Sequence, residues 1–452
     1  MPPQILKEVE EEVTQLLSSL IRINTTNPPG NETAAASYIA QYLGREGFKT
    51  EIIESAPGRG SVITRLKGTG EKPSLLLLSH LDVVPANPQE WTVDPLGGII
   101  KDGYVFGRGA LDVKSLGVIE IVTMELLKKN NIKLKGDVVL AATADEEKGG
   151  EEGAGYVLRN YREKIWCPYV LNEGGGLAIP TKGGYIFPVQ TAEKGILWLK
   201  IKAKGTPGHG SMPNMADNAV LRMNRVIDKL RSYKPETFYV PTLQEFLAEM
   251  SKQNPELRET FSHLLANPGQ SEQILDELAR KDKALAEEIR PRTKMTIAPT
   301  MIHGGVKENI IPSECEAVFD CRILPGQSVD ETIDLIKGLL KDAGSDKLSF
   351  EFLQAHDGSE STRDTPLYST ITNVLGEFEP GCGVTPMVTT GGTDSRFFRG
   401  SGSVCYGFQP MIPDEPIDQL EKRVHGVDER ITIANLVYGT SVLYETVKRF
   451  LS

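Results

Sequence analysis

The stretch "LLLLSHLDVVP", residues 75–85, sets four leucines directly before a histidine and an aspartate. A continuous apolar run bounded by polar residues reads as a fully buried strand. Side chains alternate faces along a strand, so His80 and Asp82 are expected on one side where the leucines end. Asp82 is then placed to hold one imidazole nitrogen while the other is free to bind. Taken alone, a histidine satisfied by a neighbouring aspartate is the commoner arrangement.

Three further segments end the same way. "GRGALDVKSLG" (107–117) sets Asp112 in a glycine-rich turn before a helix, where an aspartate often only caps. "LAATADEEKGG" (140–150) closes an apolar strand on Asp145, Glu146 and Glu147. Neighbouring strand residues face opposite ways, so Glu146 and Glu147 share a site only if the strand has ended and a turn re-aims them. "YVLNEGGG" (169–176) puts Glu173 just past a strand. Open parallel sheets build sites at the carboxyl ends of their strands, and four such ends outweigh coincidence. His80, Asp112, Glu147 and Glu173 with one distant histidine form a mixed nitrogen and oxygen set suited to zinc, one carboxylate bridging two ions.

The chain has six histidines. His263 falls in a polar helical stretch, His303 and His356 in turn-like segments without carboxylate company, and His209 in a second domain. His425, in "KRVHGVDERI" before the last helix, is the chosen fifth ligand.

Around these motifs, residues 1–193 alternate helix and strand patterns, the mark of a mostly parallel sheet flanked by helices. From about residue 194 the order becomes strand, helix, strand, strand, helix, strand, that of a ferredoxin-like layer, interrupted by a helical insert over about 241–290. Catalytic-domain patterns return from 357. The expected fold is α/β, with a catalytic domain formed by 1–193 and 357–452 and a lid or dimerisation domain formed by 194–356.

Composition excludes several classes. With 50 Lys and Arg against 61 Asp and Glu the net charge is -11, and no basic run suits nucleic acid. No segment approaches the roughly 18 apolar residues of a membrane span. Five scattered cysteines (167, 315, 321, 382 and 405) point to free thiols and a cytoplasmic setting, and the glutamate-rich N-terminus does not read as a secretory signal.

The strings "SHLDVVP", "GRGALDVK", "DEEKGG", "NEGGG", "GHGSMP", "ENIIP", "GGTDSRFF" and "VHGVDER", in this order between residues 79 and 430, resemble the metallopeptidase family that contains aminoacylase, acetylornithine deacetylase, succinyl-diaminopimelate desuccinylase and glutamate carboxypeptidase. The resemblance implies two divalent ions, zinc with cobalt or manganese as alternatives. His80 and Glu173 would hold one, Glu147 and His425 the other, and Asp112 would bridge them. It gives Glu146 the proton transfer between water and leaving amine, with Asp82 in catalytic support. His209 would stabilise the oxyanion in a partner subunit's site. Asn309 and Arg396 would grip the substrate's carboxylate, with Gly392 and Thr393 also binding substrate. The implied activity is amide hydrolysis of N-acyl amino acids or short peptides by a homodimer. An aminopeptidase, or a silent metal-binding scaffold, is the alternative.

Overall fold

A computed structural model describes residues 3–452, with side chains from residue 7 onward. Its largest sheet has ten strands. At the centre, Leu75–His80 lies parallel to Val138–Thr143 and to Tyr169–Asn172, and the latter is parallel to Val404–Gly407. Antiparallel strands flank this centre, Thr50–Glu54 and Gly60–Leu66 on one side and Gly184–Glu193 on the other, and the last also pairs in parallel with Gly383–Thr389.

The leucine run shows why the centre is apolar throughout. Leu75 and Leu77 enter one core, Leu76 and Leu78 another on the opposite face. Val138, Leu140 and Ala142 likewise go one way, Val139 and Ala141 the other. Helices cover both faces, so a period-two strand needs apolar residues at every position. The first core takes helices Lys114–Lys129 and Ile433–Leu451, which bring chain residues from both ends against one sheet.

The chain leaves this sheet at Glu193 and rejoins it at Ser359. Between them, Gly195–Lys204, Thr296–Gly304, Glu314–Ile323 and Leu348–His356 form a separate four-stranded antiparallel sheet with the first of these inside. Helices Ala219–Ser232 and Val329–Leu339 pack on it, which is the ferredoxin-like order. His303 and His356 stand on strands of this sheet rather than in turns.

The insert holds four helices, Pro241–Gln253, Arg258–Ala266, Ser271–Ala279 and Lys283–Ile289. Polar in overall composition, each nevertheless carries an apolar stripe. Those stripes form a core with Ile186, Ala192 and Val388 of the ten-stranded sheet. The insert is therefore seated against the large sheet rather than within the core of the four-stranded one. Among the described residues no helix is long and apolar enough to cross a membrane.

Candidate metal centre

The strand rims deliver their polar side chains to one place. His80 ends its strand almost fully buried, with Nε2 3.1 Å from Asp112 Oδ1 and 3.6 Å from Glu173 Oε1. His425 Nε2 lies 3.0 Å from Asp112 Oδ2 and 3.2 Å from Glu147 Oε2. Asp112 thus offers one oxygen to each of two triads, His80–Asp112–Glu173 and Asp112–Glu147–His425, whose ligand atoms lie within 4.8 Å of one another.

Local backbone explains the convergence. After Thr143 the strand stops, and Asp145 takes φ of 72° before a single 3-10 turn, Glu146–Lys148. This left-handed step re-aims the two glutamates. Gly150, at φ of 67°, closes the turn where a Cβ would sit 2.1 Å from Asp394 Oδ1, so no larger residue fits. Asp145 itself is spent on structure, paired with Arg59 and accepting from the Glu152 amide at 2.9 Å.

Asp82 meets the imidazole on its Nδ1 side, more closely through its carbonyl than through its carboxylate. His80 Nδ1 meets the Asp82 carbonyl at 2.9 Å, while the carboxylate stands back at 3.6 Å. The Asp82 carboxylate accepts from the backbone amides of Glu146 (3.0 Å) and Glu147 (3.2 Å) and from Asn27 (2.8 Å). Asp82 holds the turn that carries both glutamates.

Glu429 was not singled out in the sequence. Fully buried, its Oε1 accepts from the amides of Gly109 (3.1 Å), Leu111 (2.7 Å) and Asp112 (3.1 Å), and its Oε2 from Arg108 (2.7 Å). It fixes the loop of Asp112 to the segment of His425, four residues away in sequence. Its place in "VHGVDER" was the only available signal.

The electrostatics are those of a site short of positive charge. Burial, then the neighbouring Glu173 carboxylate, raises Glu146 well above the usual range, and burial raises Glu173. Contacts with Asp112 and Glu147 push His425 up to about 10. Burial opposes charge on His80, yet Glu173 and Asp112 prevail and raise it. Crowded carboxylates raise one another's pKa unless cations neutralise them, and the donor set of two imidazoles and three carboxylates suits two divalent ions.

The other expected residues fall in two groups. Arg396 lies beside the glutamate turn, its Nη2 donating to the Gly149 carbonyl and its Nη1 3.2 Å from His356 Nε2. His356, without carboxylate company as its sequence suggested, thus has a cationic partner instead. Burial and Arg396 hold this imidazole below its ordinary range, which suits an acceptor. Gly392 faces His356, where a Cβ would come within 3.6 Å of the ring. Thr393 turns inward, its amide and hydroxyl both donated to Glu193 Oε2 at 2.8 and 2.9 Å. In this arrangement neither donor is open to a substrate, because Glu193 is itself buried and requires them.

His209 and Asn309 sit apart from the metal cluster on a short ribbon that pairs Gly208–His209 with Ile310–Ile311. His209 is exposed, and its Nδ1 accepts from the Ser211 amide at 3.2 Å. In the neutral ring that contact leaves the proton on Nε2. Among the described residues, neither His209 nor Asn309 makes a hydrogen bond with any of the five clustered ligand residues.

A family model described as "Peptidase family M20/M25/M40" matches residues 76–449. The N-fatty-acyl-amino acid synthase/hydrolase PM20D1 of Xenopus tropicalis is 27% identical over 454 residues, covering 95% of this chain and 84% of that protein. Aminoacylase-1 of Sus scrofa is 25% identical over 444 residues, covering 96% and 94%. Among solved structures, an M20 family metallo-carboxypeptidase from Sulfolobus solfataricus superposes with a TM-score of 0.76 at 17% identity, covering 97% of this chain and 99% of the other.

Proposed function

This chain belongs to peptidase family M20/M25/M40, the metal-dependent hydrolases, and we propose that it cleaves the amide bond of an N-acyl amino acid or short peptide bearing a free carboxylate. One observation carries this reading above all. Asp112 stands between two histidines, one oxygen to each, with Glu173 and Glu147 completing a triad on either side.

His80, Glu173, Asp112, Glu147 and His425 would hold two divalent ions, zinc in the first instance. When bound, the ions polarise a scissile carbonyl and lower the pKa of water. Glu146 is on the same turn as Glu147 but belongs to neither triad. It is free to take a proton from the attacking water and return it to the departing nitrogen. Asp82 keeps that turn in place through two amides. Arg396 supplies a planar guanidinium for the substrate's carboxylate, oriented by Gly149 and His356.

His209 and Asn309 act in the site of a second copy. Their ribbon adjoins a face with exposed apolar side chains, among them Met215 (81% exposed), Val306 (92%) and Ile302 (55%), which suits a homodimer formed through the four-stranded sheet. Five unpaired cysteines favour a cytoplasmic enzyme.

The test is a hydrolysis panel on chelated protein given back zinc, cobalt or manganese. N-acetyl amino acids and dipeptides should be cleaved and amino-acid anilides ignored. Preference for the anilides would make this an aminopeptidase instead. Turnover of none of them with any metal would leave a binding scaffold.

A further inference from the structure

We propose that His356 is a positioning residue that aims Arg396 at the substrate's free carboxylate, so that the domain of the four-stranded sheet governs carboxylate recognition in the domain that carries the metal ligands. This rests on the hydrolase reading above, with Arg396 as its carboxylate reader, and names the group that keeps that reader in place.

The chemistry of the pair fixes the state of the ring. A guanidinium only donates, so the His356 Nε2, 3.2 Å from Arg396 Nη1, is an acceptor. The proton then lies on Nδ1, which donates to the Asp357 carbonyl at 3.3 Å. Burial and the adjacent guanidinium favour the neutral ring that this requires. Arg396 Nη2 is held in turn by the Gly149 carbonyl, and its Cζ lies 4.4 Å from the centre of the Phe397 ring. These three contacts set the plane of the fork that a carboxylate must match. Only one N–H is spent on His356 and one on Gly149, so the others remain for a substrate.

His356 reaches Arg396 from the other domain. It ends the strand Leu348–His356, opposite Ile196, just before the chain crosses back to the large sheet. The two crossings touch backbone to backbone. A Cβ on Gly195 would stand 2.5 Å from the Gly358 nitrogen and 2.6 Å from the His356 oxygen, an approach that only glycine permits. The first crossing serves the same arginine. Glu193 accepts from the amide and hydroxyl of Thr393 at 2.8 and 2.9 Å and pairs with Arg399 at 2.8 Å, on either side of Arg396 in the chain. Glu193 thus holds the segment that carries Arg396, and His356 holds its charged head.

The pair faces space that a substrate can enter. His356 and Arg396 line a cleft of about 780 Å³ between the two domains, together with Gly149, Trp198 and Phe397. Gly149, at φ of 108°, follows the turn that carries Glu146 and Glu147. A Cβ there would come within 3.1 Å of Gln354 Nε2 and 3.7 Å of Arg396 Nη2. A carboxylate received by Arg396 therefore sits beside the groups expected to cleave the bond. Without His356 the long side chain keeps its charge and loses its direction, which costs binding of the carboxylate rather than the chemical step.

The experiment compares an N-acetyl amino acid with its C-terminal amide on the parent, His356→Ala, His356→Gln and Arg396→Ala. Calorimetry on metal-free protein gives the binding of both compounds; kcat, KM and metal content are measured on metal-loaded protein. The parent should prefer the acid. His356→Ala should weaken binding of the acid and raise its KM by about 10- to 100-fold, as for a lost hydrogen bond to a charged group. Its kcat, and its handling of the amide, should change by less than about threefold. His356→Gln, whose side-chain oxygen can accept the same N–H, should recover most of the loss, and Arg396→Ala should abolish the preference. A preference intact in His356→Ala and absent from Arg396→Ala overturns this inference and leaves the hydrolase and its arginine in place. Equal losses in His356→Gln and His356→Ala overturn it too, because the acceptor would not be what matters. A parent that binds acid and amide alike removes Arg396 as the reader and His356 with it. The expected pattern of binding without hydrolysis of any amide keeps His356 and overturns the reaction.

Discussion

The Glu429 carboxylate holds the backbone of Asp112, accepting its amide at 3.1 Å together with those of Gly109 and Leu111. Three amides on one oxygen fix the direction in which Asp112 presents its own two oxygens. The same buried carboxylate answers the Arg108 guanidinium at 2.7 Å. A residue that touches no expected ligand atom of the ions thus sets the position of the bridge.

Glu429→Gln should weaken divalent-ion binding by about 10- to 100-fold, the usual cost of losing a group that orients a ligand. Competition against a chromophoric chelator measures it. The amide cannot accept as strongly and places an N–H against three donors or an arginine. Unchanged affinity at both sites would remove Glu429 from the positioning of Asp112. A thermal melt run alongside separates this effect from simple unfolding, since breaking a buried ion pair is itself costly.

Glu146→Gln should lower kcat by about 10² to 10⁴ while leaving two ions per chain. Metal analysis and steady-state kinetics on the same preparation decide it. Loss of an ion with the activity would mean that Glu146 is a ligand; activity within tenfold of the parent would mean that another group moves the proton.

His209 and Glu146 offer a test of assembly. If His209 serves the neighbouring subunit's site, His209→Ala and Glu146→Ala chains are each inactive as pure dimers, yet a mixed dimer holds one complete site. Unfolding and refolding the two together should restore activity that neither shows alone. Light scattering that finds an active monomer, or a mixture without recovery, would place His209 outside the reaction.

The centre of the fold was legible because burial on both faces leaves one pattern. Leu75–Leu78 and Val138–Ala142 could only be interior strands, and the metal-competent residues followed at their ends. What escaped depended on loops. Asp82 lies just past the end of its strand, and its carboxylate reaches the amides of residues 146 and 147, more than sixty positions on. His356 gains Arg396 across forty residues, and Glu429 gains the Asp112 loop across more than three hundred. Such contacts leave no trace in local spacing. The insert misled through composition: a polar average concealed the apolar stripes that pack on Ile186 and Val388.

Lys194 connects these parts and gives stability a pH dependence. It stands between the two sheets, fully buried, with Nζ donating to the carbonyls of Pro291 (2.8 Å) and Lys294 (2.9 Å) just past the insert. Burial, followed by the nearby Arg322 and Arg292, pushes its pKa down from 10.5 to about 7. Between those values the unfolded chain binds a proton that the folded chain releases, so this group's contribution to stability rises with pH across about 7 to 10.5 and is constant above. The slope for one proton is at most roughly 1.4 kcal/mol per pH unit. Urea unfolding of the parent and of Lys194→Met, at pH 7, 8 and 9, should therefore give a difference in stability that shifts toward the parent as pH rises. A difference independent of pH would show that Lys194 keeps its proton in the fold, its two carbonyl partners outweighing burial.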